Sequence, residues 1–100
     1  MKEDIFNQYV EKILDLFNIS REDLFLKSKK RHLVDARQLL YFLCYERQMR
    51  MTYIQSFLLK NGCDAPHTSI IHGIKVTRAR VEEDKDYQSI IKDIDKSVFI

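Results

Sequence analysis

Apolar residues recur at every third or fourth position along most of the chain, which is the spacing of helices that bury one face. This pattern predicts six helices and no strand, and the scarcity of glycine (2) and proline (1) disfavours a turn-rich β architecture. The expected fold class is all-α. In chain order, the apolar positions that define the helices are Phe6, Tyr9, Val10, Ile13, Leu14 and Phe17; Leu24, Phe25 and Leu26; Ala36, Leu39, Leu40, Leu43 and Cys44; Ile54, Phe57 and Leu58; Ile70, Ile71, Ile74 and Val81; and Tyr87, Ile90, Ile91, Ile94 and Val98.

The third of these helices is apolar around most of its circumference, because Tyr41, Phe42 and Tyr45 extend its apolar face. A helix with this pattern usually lies at the centre of a protein. We therefore expect it to be the spine of the fold.

Polar residues, glycine and proline mark the ends of the predicted helices. Ser20 is expected to cap the second helix, with Asp23 at the third helical position as in a capping box. Gly62 can adopt the positive φ that ends a helix, so it is expected to follow the fourth. Asp64 is expected to cap the fifth helix, with Pro66 in the first turn, where a missing N–H costs no helical hydrogen bond.

The fourth and fifth helices, with the glycine-containing turn between them, match a helix-turn-helix over about residues 51–80. In such motifs the first turns of the second helix contact base edges in the major groove. Small hydroxyl, imidazole and ammonium side chains suited to that role share one side of the fifth helix. A solvated polar face without a ligand would look nearly the same. The residues on this side are Thr68, Ser69, His72, Lys75 and Ala79.

The length and composition favour one domain, 1–100, that is neither exported nor inserted into a membrane. No apolar run approaches the roughly 20 residues of a membrane span. The N-terminal sequence MKEDIFNQY is too polar for a signal peptide. We therefore expect a cytoplasmic protein with no membrane partner and with free thiols at Cys44 and Cys63.

Charge is unevenly distributed, although the net charge is only +2. Basic residues dominate the segment 27–50, whereas acidic residues outnumber basic ones after Val81. A concentrated basic segment indicates an anionic partner on one side of the molecule, although such a segment can also be only a solvated face. The cations expected to position that partner are Lys27, Lys29, Lys30, Arg31 and Arg37.

Metal binding and catalysis are poorly supported by the spacing of the reactive side chains. His67 and His72 are five residues apart, which separates them by about 140° around a helix, so they cannot share a metal as residues three or four apart do. Ser69 lies near His72, but no strand precedes it and no neighbouring carboxylate orients the histidine. The sequence also has no glycine-rich phosphate loop. We expect no enzyme activity, no cofactor, no metal site and no bound nucleotide.

Three segments resemble the C-terminal DNA-binding domain of the bacterial replication initiator DnaA family. They are FNISREDLFLKSKKRHLVDARQ (17–38), MTYIQSFL (51–58) and HTSIIHG (67–73), and the resemblance extends over about residues 5–96. It implies an all-helical fold with an extended helix-turn-helix of the Trp repressor type, and binding of double-stranded DNA from two grooves. By position, the resemblance implies major-groove contacts at His67, Thr68, Ser69 and His72, a minor-groove contact at Lys29, and contacts at or near phosphates at Arg31, Arg37, Gln38, Thr52 and Tyr53.

The sequence departs from the family pattern at two positions that bear on specificity. Pro66 replaces the aspartate that precedes the signature histidine, with Asp64 two residues earlier, and Lys29 replaces an arginine. A lost hydrogen-bond acceptor and a lost planar guanidinium both change base preference, so we expect a target that differs from the family's usual box.

We therefore expect sequence-preferring binding of double-stranded DNA in replication or transcription control, without ATPase activity. Base contacts are expected from His67, Thr68, Ser69 and Lys75. A phage or other mobile element is a source that would fit a stand-alone domain. Protein partners in a replication or virion complex would also fit this role. The alternative is a protein-interaction or structural module of the same fold, which would use exposed aromatic side chains such as Tyr41, Phe42 and Tyr45.

Overall fold

The structure is a computed structural model that describes residues 2–98. Over that range it contains six α-helices and no strand, so the all-α prediction is confirmed. The helices are α1 (Lys2–Phe17), α2 (Arg21–Phe25), α3 (Arg31–Glu46), α4 (Met51–Lys60), α5 (His67–Glu83) and α6 (Lys85–Ser97).

The central element is α3, as its pattern predicts. It contacts α1, α2, α4 and α5, whereas α6 packs mainly on α5. Tyr41 and Phe42 are each only 5% exposed, so the aromatic contact surface of the alternative reading is not formed by them. Tyr45 is 43% exposed, and the Arg78 guanidinium lies 5.9 Å from its ring centroid.

Several of the helix ends follow local chemistry. Ser20 caps α2, because its Oγ accepts a hydrogen bond of 3.1 Å from the backbone N–H of Asp23. Gly62 has a φ of +83° after the end of α4, as expected for a residue that can adopt the left-handed region. The cap predicted for the fifth helix is wrong: Pro66 is the N-cap residue, α5 begins at His67, and no side chain caps it.

One leucine and one isoleucine that were predicted to be buried, Leu26 and Ile71, are exposed. Leu26 is 59% exposed, because α2 ends at Phe25 and the backbone of Leu26 is already extended. Ile71 is 41% exposed, because α5 meets the core through a stripe formed by Ile70, Gly73, Ile74 and Thr77. Position 71 lies about 100° around the helix from position 70, outside that contact stripe.

A hydrogen-bonded chain joins α1 and α6 to the residue that ends α3. The hydroxyl of Tyr9 donates to Asp95 Oδ1 at 2.9 Å and accepts from Arg47 Nη1 at 3.2 Å. Tyr9 is fully buried, and this burial raises its pKa to about 12. Arg47 lowers the pKa and Asp95 raises it, each by less than the burial does. The neutral phenol is therefore a structural link between distant parts of the chain.

Candidate nucleic-acid interface

The turn between α4 and α5 is fixed by both burial and hydrogen bonding. Cys63 and Ala65 are buried at 2% and 5% exposure, so the turn is anchored in the core. Gln55 Nε2 on α4 donates to the carbonyl oxygen of Ala65 at 3.0 Å, immediately before α5 begins. These contacts fix the position of the start of α5 relative to α4, which a helix-turn-helix requires.

The first turn of α5 leaves its backbone N–H groups without a protein cap. Pro66 has φ −70° and ψ 157°, and neither a side-chain cap nor an acidic residue is present in the first turn. The first N–H groups of a helix have no intrahelical acceptor, and the helix dipole adds positive potential at this end. The start of α5 is therefore suited to an anion.

The solvent face of α5 contains the side chains predicted to contact bases. All of them are exposed, and they follow one another over the first two and a half turns of the helix. Their donors, acceptors and single cation are therefore accessible to a ligand that lies along the helix. The exposed residues predicted to contact the major groove are His67, Thr68, Ser69, His72 and Lys75.

The basic segment before α3 is held by Arg37, which faces it from the helix. The Arg37 guanidinium donates to the carbonyl oxygens of Leu24 at 3.3 Å and Ser28 at 2.7 Å, and also to that of Leu26. Through these bonds, Arg37 holds the basic segment against α3. The lysines of this segment, at 27, 29 and 30, point to solvent.

A groove of about 490 Å³ lies between the basic segment and the start of α5. Lys27 and Lys29 lie on one wall, and Thr68, Ser69 and His72 lie on the other. The structure therefore brings together two sets of residues that are 39 or more positions apart in the sequence and that were predicted independently. This juxtaposition is the strongest indication of a shared ligand.

The floor of the groove is neutral. Tyr41 is largely buried, which raises its pKa to about 12, with a smaller contribution from its interaction with Cys63. Burial also raises the pKa of the Cys63 thiol. Neither group is ionised near neutral pH, so the positive charge of the groove comes from Lys27, Lys29 and Arg37, and among the lining residues Asp64 opposes it.

The distance between α5 and the floor depends on Gly73, which the sequence interpretation did not single out. A β carbon at this position would lie 2.8 Å from Tyr41 Cδ2 and 3.0 Å from Gln38 Cγ. A glycine in the interior of a helix is costly and usually has a packing reason, so its position was an available signal. Tyr41 and Cys63 were also not predicted as groove residues, because their side chains were expected only in the core or as free thiols.

Several predicted contact residues lie outside the groove. Arg31 lines a separate cavity of about 440 Å³ with Asp35 and Arg80, whose side chains form a 3.0 Å ion pair. On α4, Thr52 is exposed, and the Tyr53 ring has Lys2 Nζ 4.6 Å from its centroid. Gln38 is half-buried within the groove. The exposed predicted contacts that do not line it are Lys30, Arg31, Thr52, Tyr53, His67 and Lys75.

Residues 2–98 contain neither a metal-binding cluster nor a helix that could span a membrane. No three histidine, cysteine, aspartate or glutamate side chains in this range are grouped so that they could hold a metal ion. None of the helices in the same range has the length and apolar character needed to cross a membrane.

Comparison with known proteins gives one informative similarity. No family model matches the chain, and no solved structure matches it significantly. The chain is 29% identical over 102 aligned residues to the chromosomal replication initiator protein DnaA of Flavobacterium psychrophilum. The alignment covers 98% of this chain but 20% of that protein, so the chain spans about a fifth of the length of this relative.

Proposed function

We propose that this chain is a non-catalytic DNA-binding domain that binds double-stranded DNA across the groove between residues 27–30 and the start of α5. The observation that supports the proposal is the placement of Lys27 and Lys29 opposite Thr68, Ser69 and His72. The similarity to an initiator of chromosomal replication supports DNA as the ligand and replication initiation as the process.

The two walls of the groove have different chemistry, which suggests that they contact different parts of the DNA. In this arrangement, α5 enters the major groove, where hydroxyl and imidazole groups can pair with base edges. The compact, flexible ammonium groups of Lys27, Lys29 and Lys30 neutralise phosphates. In this position Lys29 also lies next to the neighbouring minor groove. Sequence preference therefore comes from α5, and most of the affinity comes from the lysines.

Duplex binding is tested by fluorescence anisotropy over a range of salt concentrations. Neutralisation of roughly four to six phosphates gives a slope of log affinity against log salt of about −4 to −5. Replacing Lys27 and Lys29 with glutamine should make this slope shallower by about 2. The matched control is Lys92→Gln with Lys96→Gln, which removes the same charge from exposed positions of α6, distant in sequence from the groove.

The control pair should leave the slope almost unchanged. Equal effects of the two pairs would mean that binding follows net charge and not the groove. Undetectable binding of any duplex at low salt would contradict the proposal.

Sequence preference is tested by selecting bound sites from random duplex DNA with the wild-type chain and with His67→Ala. The wild-type chain should enrich a defined site, and the variant should lose the preference at one or two adjacent positions of it. Enrichment of the same site by both proteins would show that His67 makes no base contact.

A further inference from the structure

Ile71 is an aliphatic side chain among the exposed polar side chains of residues 67–75 on α5. It is 41% exposed, and its neighbours among them are Thr68, His72 and Lys75. We infer that Ile71 selects thymine in the DNA target by contacting the C5 methyl group in the major groove. This inference rests on the proposed function and adds a specificity determinant to it.

The position of Ile71 follows from helical spacing. Residues three and four apart on a helix are neighbours, so Ile71 lies one turn after Thr68 and one turn before Lys75. Any DNA that contacts both Thr68 and Lys75 through the major groove therefore passes over Ile71. A side chain at this place must either bury apolar surface against the DNA or remain hydrated in the interface.

The chemistry of the major groove identifies the target. The C5 methyl of thymine is the one apolar group that a standard base pair displays there, whereas the other base edges offer donors and acceptors. Isoleucine has no donor or acceptor and therefore distinguishes thymine from cytosine only through that methyl.

The local structure also favours a defined contact. The Ile71 side chain is β-branched, and in a helix such side chains strongly prefer one χ1 rotamer, so little side-chain entropy is lost on binding. The backbone beneath it is fixed by the close approach of Gly73 to Tyr41. Leu26, which is 59% exposed, lacks this setting because it follows the end of α2.

The test removes the methyl group from the DNA and the aliphatic group from the protein separately. A duplex selected by the wild-type chain is resynthesised with each thymine replaced, one at a time, by deoxyuridine, which lacks only the methyl. Wild-type affinity should fall roughly threefold to tenfold at one position. Ile71→Ala should bind the parent duplex more weakly by a similar factor and show less than a twofold further loss with deoxyuridine.

The control variant is Leu59→Ala, which shortens an aliphatic side chain that is 60% exposed on α4. It should keep the full deoxyuridine effect. Ile71→Ala should also unfold at nearly the wild-type temperature, because the site is exposed and alanine favours helix.

The outcomes separate this inference from the proposed function. Strong duplex binding with no deoxyuridine effect at any position, or with the same effect in Ile71→Ala as in the wild-type chain, would overturn the role of Ile71 and leave DNA binding intact. No binding of any duplex by the wild-type chain would overturn both.

Discussion

Gly73 lies so close to Tyr41 that a β carbon on it would be 2.8 Å from Cδ2 of the ring. The ring is on the central helix and belongs to the floor of the groove, so the aromatic side chain cannot move away without disturbing the core. This contact determines how closely the proposed recognition helix approaches the rest of the molecule.

We expect Gly73→Ala to destabilise the protein and to weaken DNA binding. Overpacking costs about 1–3 kcal/mol, and the better helix propensity of alanine offsets about 1 kcal/mol of it. The remaining strain shifts α5 away from α3 and widens the groove. Urea unfolding measures the stability, and anisotropy measures the affinity.

Gly62→Ala is the matched control for this substitution. Gly62 has a φ of +83° and no atom within 4 Å of the added carbon, so alanine costs only backbone strain of about 1–2 kcal/mol. Its loss of stability should come without a comparable loss of affinity for folded protein. Equal losses of affinity in the two variants would show that the spacing between α5 and α3 does not matter.

Arg37 should affect DNA binding without contributing to its salt dependence. The guanidinium bonds three carbonyl oxygens of residues 24–28, so Arg37→Ala leaves these acceptors unsatisfied and loosens the segment that presents the lysines. Affinity should fall, but the salt slope should stay within about 0.5 of the wild-type value, whereas Lys29→Ala should reduce it by about 1. A reduction of about 1 for Arg37→Ala as well would mean that it contacts a phosphate.

Tyr9 should make the protein sensitive to alkaline pH. Its pKa is raised from 10.0 to about 12, so the folded state favours the neutral phenol over the phenolate. The stability that this group contributes is complete below pH 10 and is lost as the pH rises toward 12. Tyr9→Phe should therefore show a smaller decrease in the free energy of unfolding between pH 10 and 12 than the wild-type protein.

The same variant also measures the hydrogen bonds at neutral pH. Tyr9→Phe should cost about 1 kcal/mol, since it loses the bonds to Arg47 and Asp95. Identical alkaline profiles for the variant and the wild-type protein would exclude Tyr9 as the responsible group.

Thr77 presents a buried hydroxyl that lacks a hydrogen-bond partner. The residue is fully buried on α5, and its Oγ1 makes no hydrogen bond to any of residues 2–98. Thr77→Val keeps the shape and removes the unpaired hydroxyl, so it should stabilise the protein by about 1 kcal/mol. Thr77→Ser keeps the hydroxyl and removes a methyl, and it should destabilise by a similar amount in chemical unfolding. A destabilised valine variant would show that the hydroxyl is hydrogen-bonded in solution.

The features that the sequence predicted correctly depend on local pattern. The buried circumference of α3 and the Ser20 cap of α2 are determined by residues within a few turns of one another. The features that it did not predict depend on how helices approach. Ile71 is exposed because a different stripe of α5 meets α3. Arg37 bonds the carbonyl oxygen of Ser28 because of the path of the loop before α3, and a loop has no periodicity from which that path could be predicted.

The groove was predicted only in part, because it depends on both local pattern and the packing of helices. The spacing of Thr68, Ser69 and His72 on one helix is visible in the sequence, but the distance from that helix to Lys29 is set by tertiary packing. Local pattern therefore indicated the two walls, and only the fold could define the groove between them.

The uncapped start of α5 has a consequence for the free protein. The first turn of α5, with His67 and Thr68, has no side-chain cap, and uncapped end turns are where helices open most readily. A phosphate bound at this end would supply the missing acceptors and would thereby complete the helix. In the proposed complex the nucleic acid therefore acts as the N-terminal cap of α5, and the hydrogen bonds of its first turn are shared between protein and target.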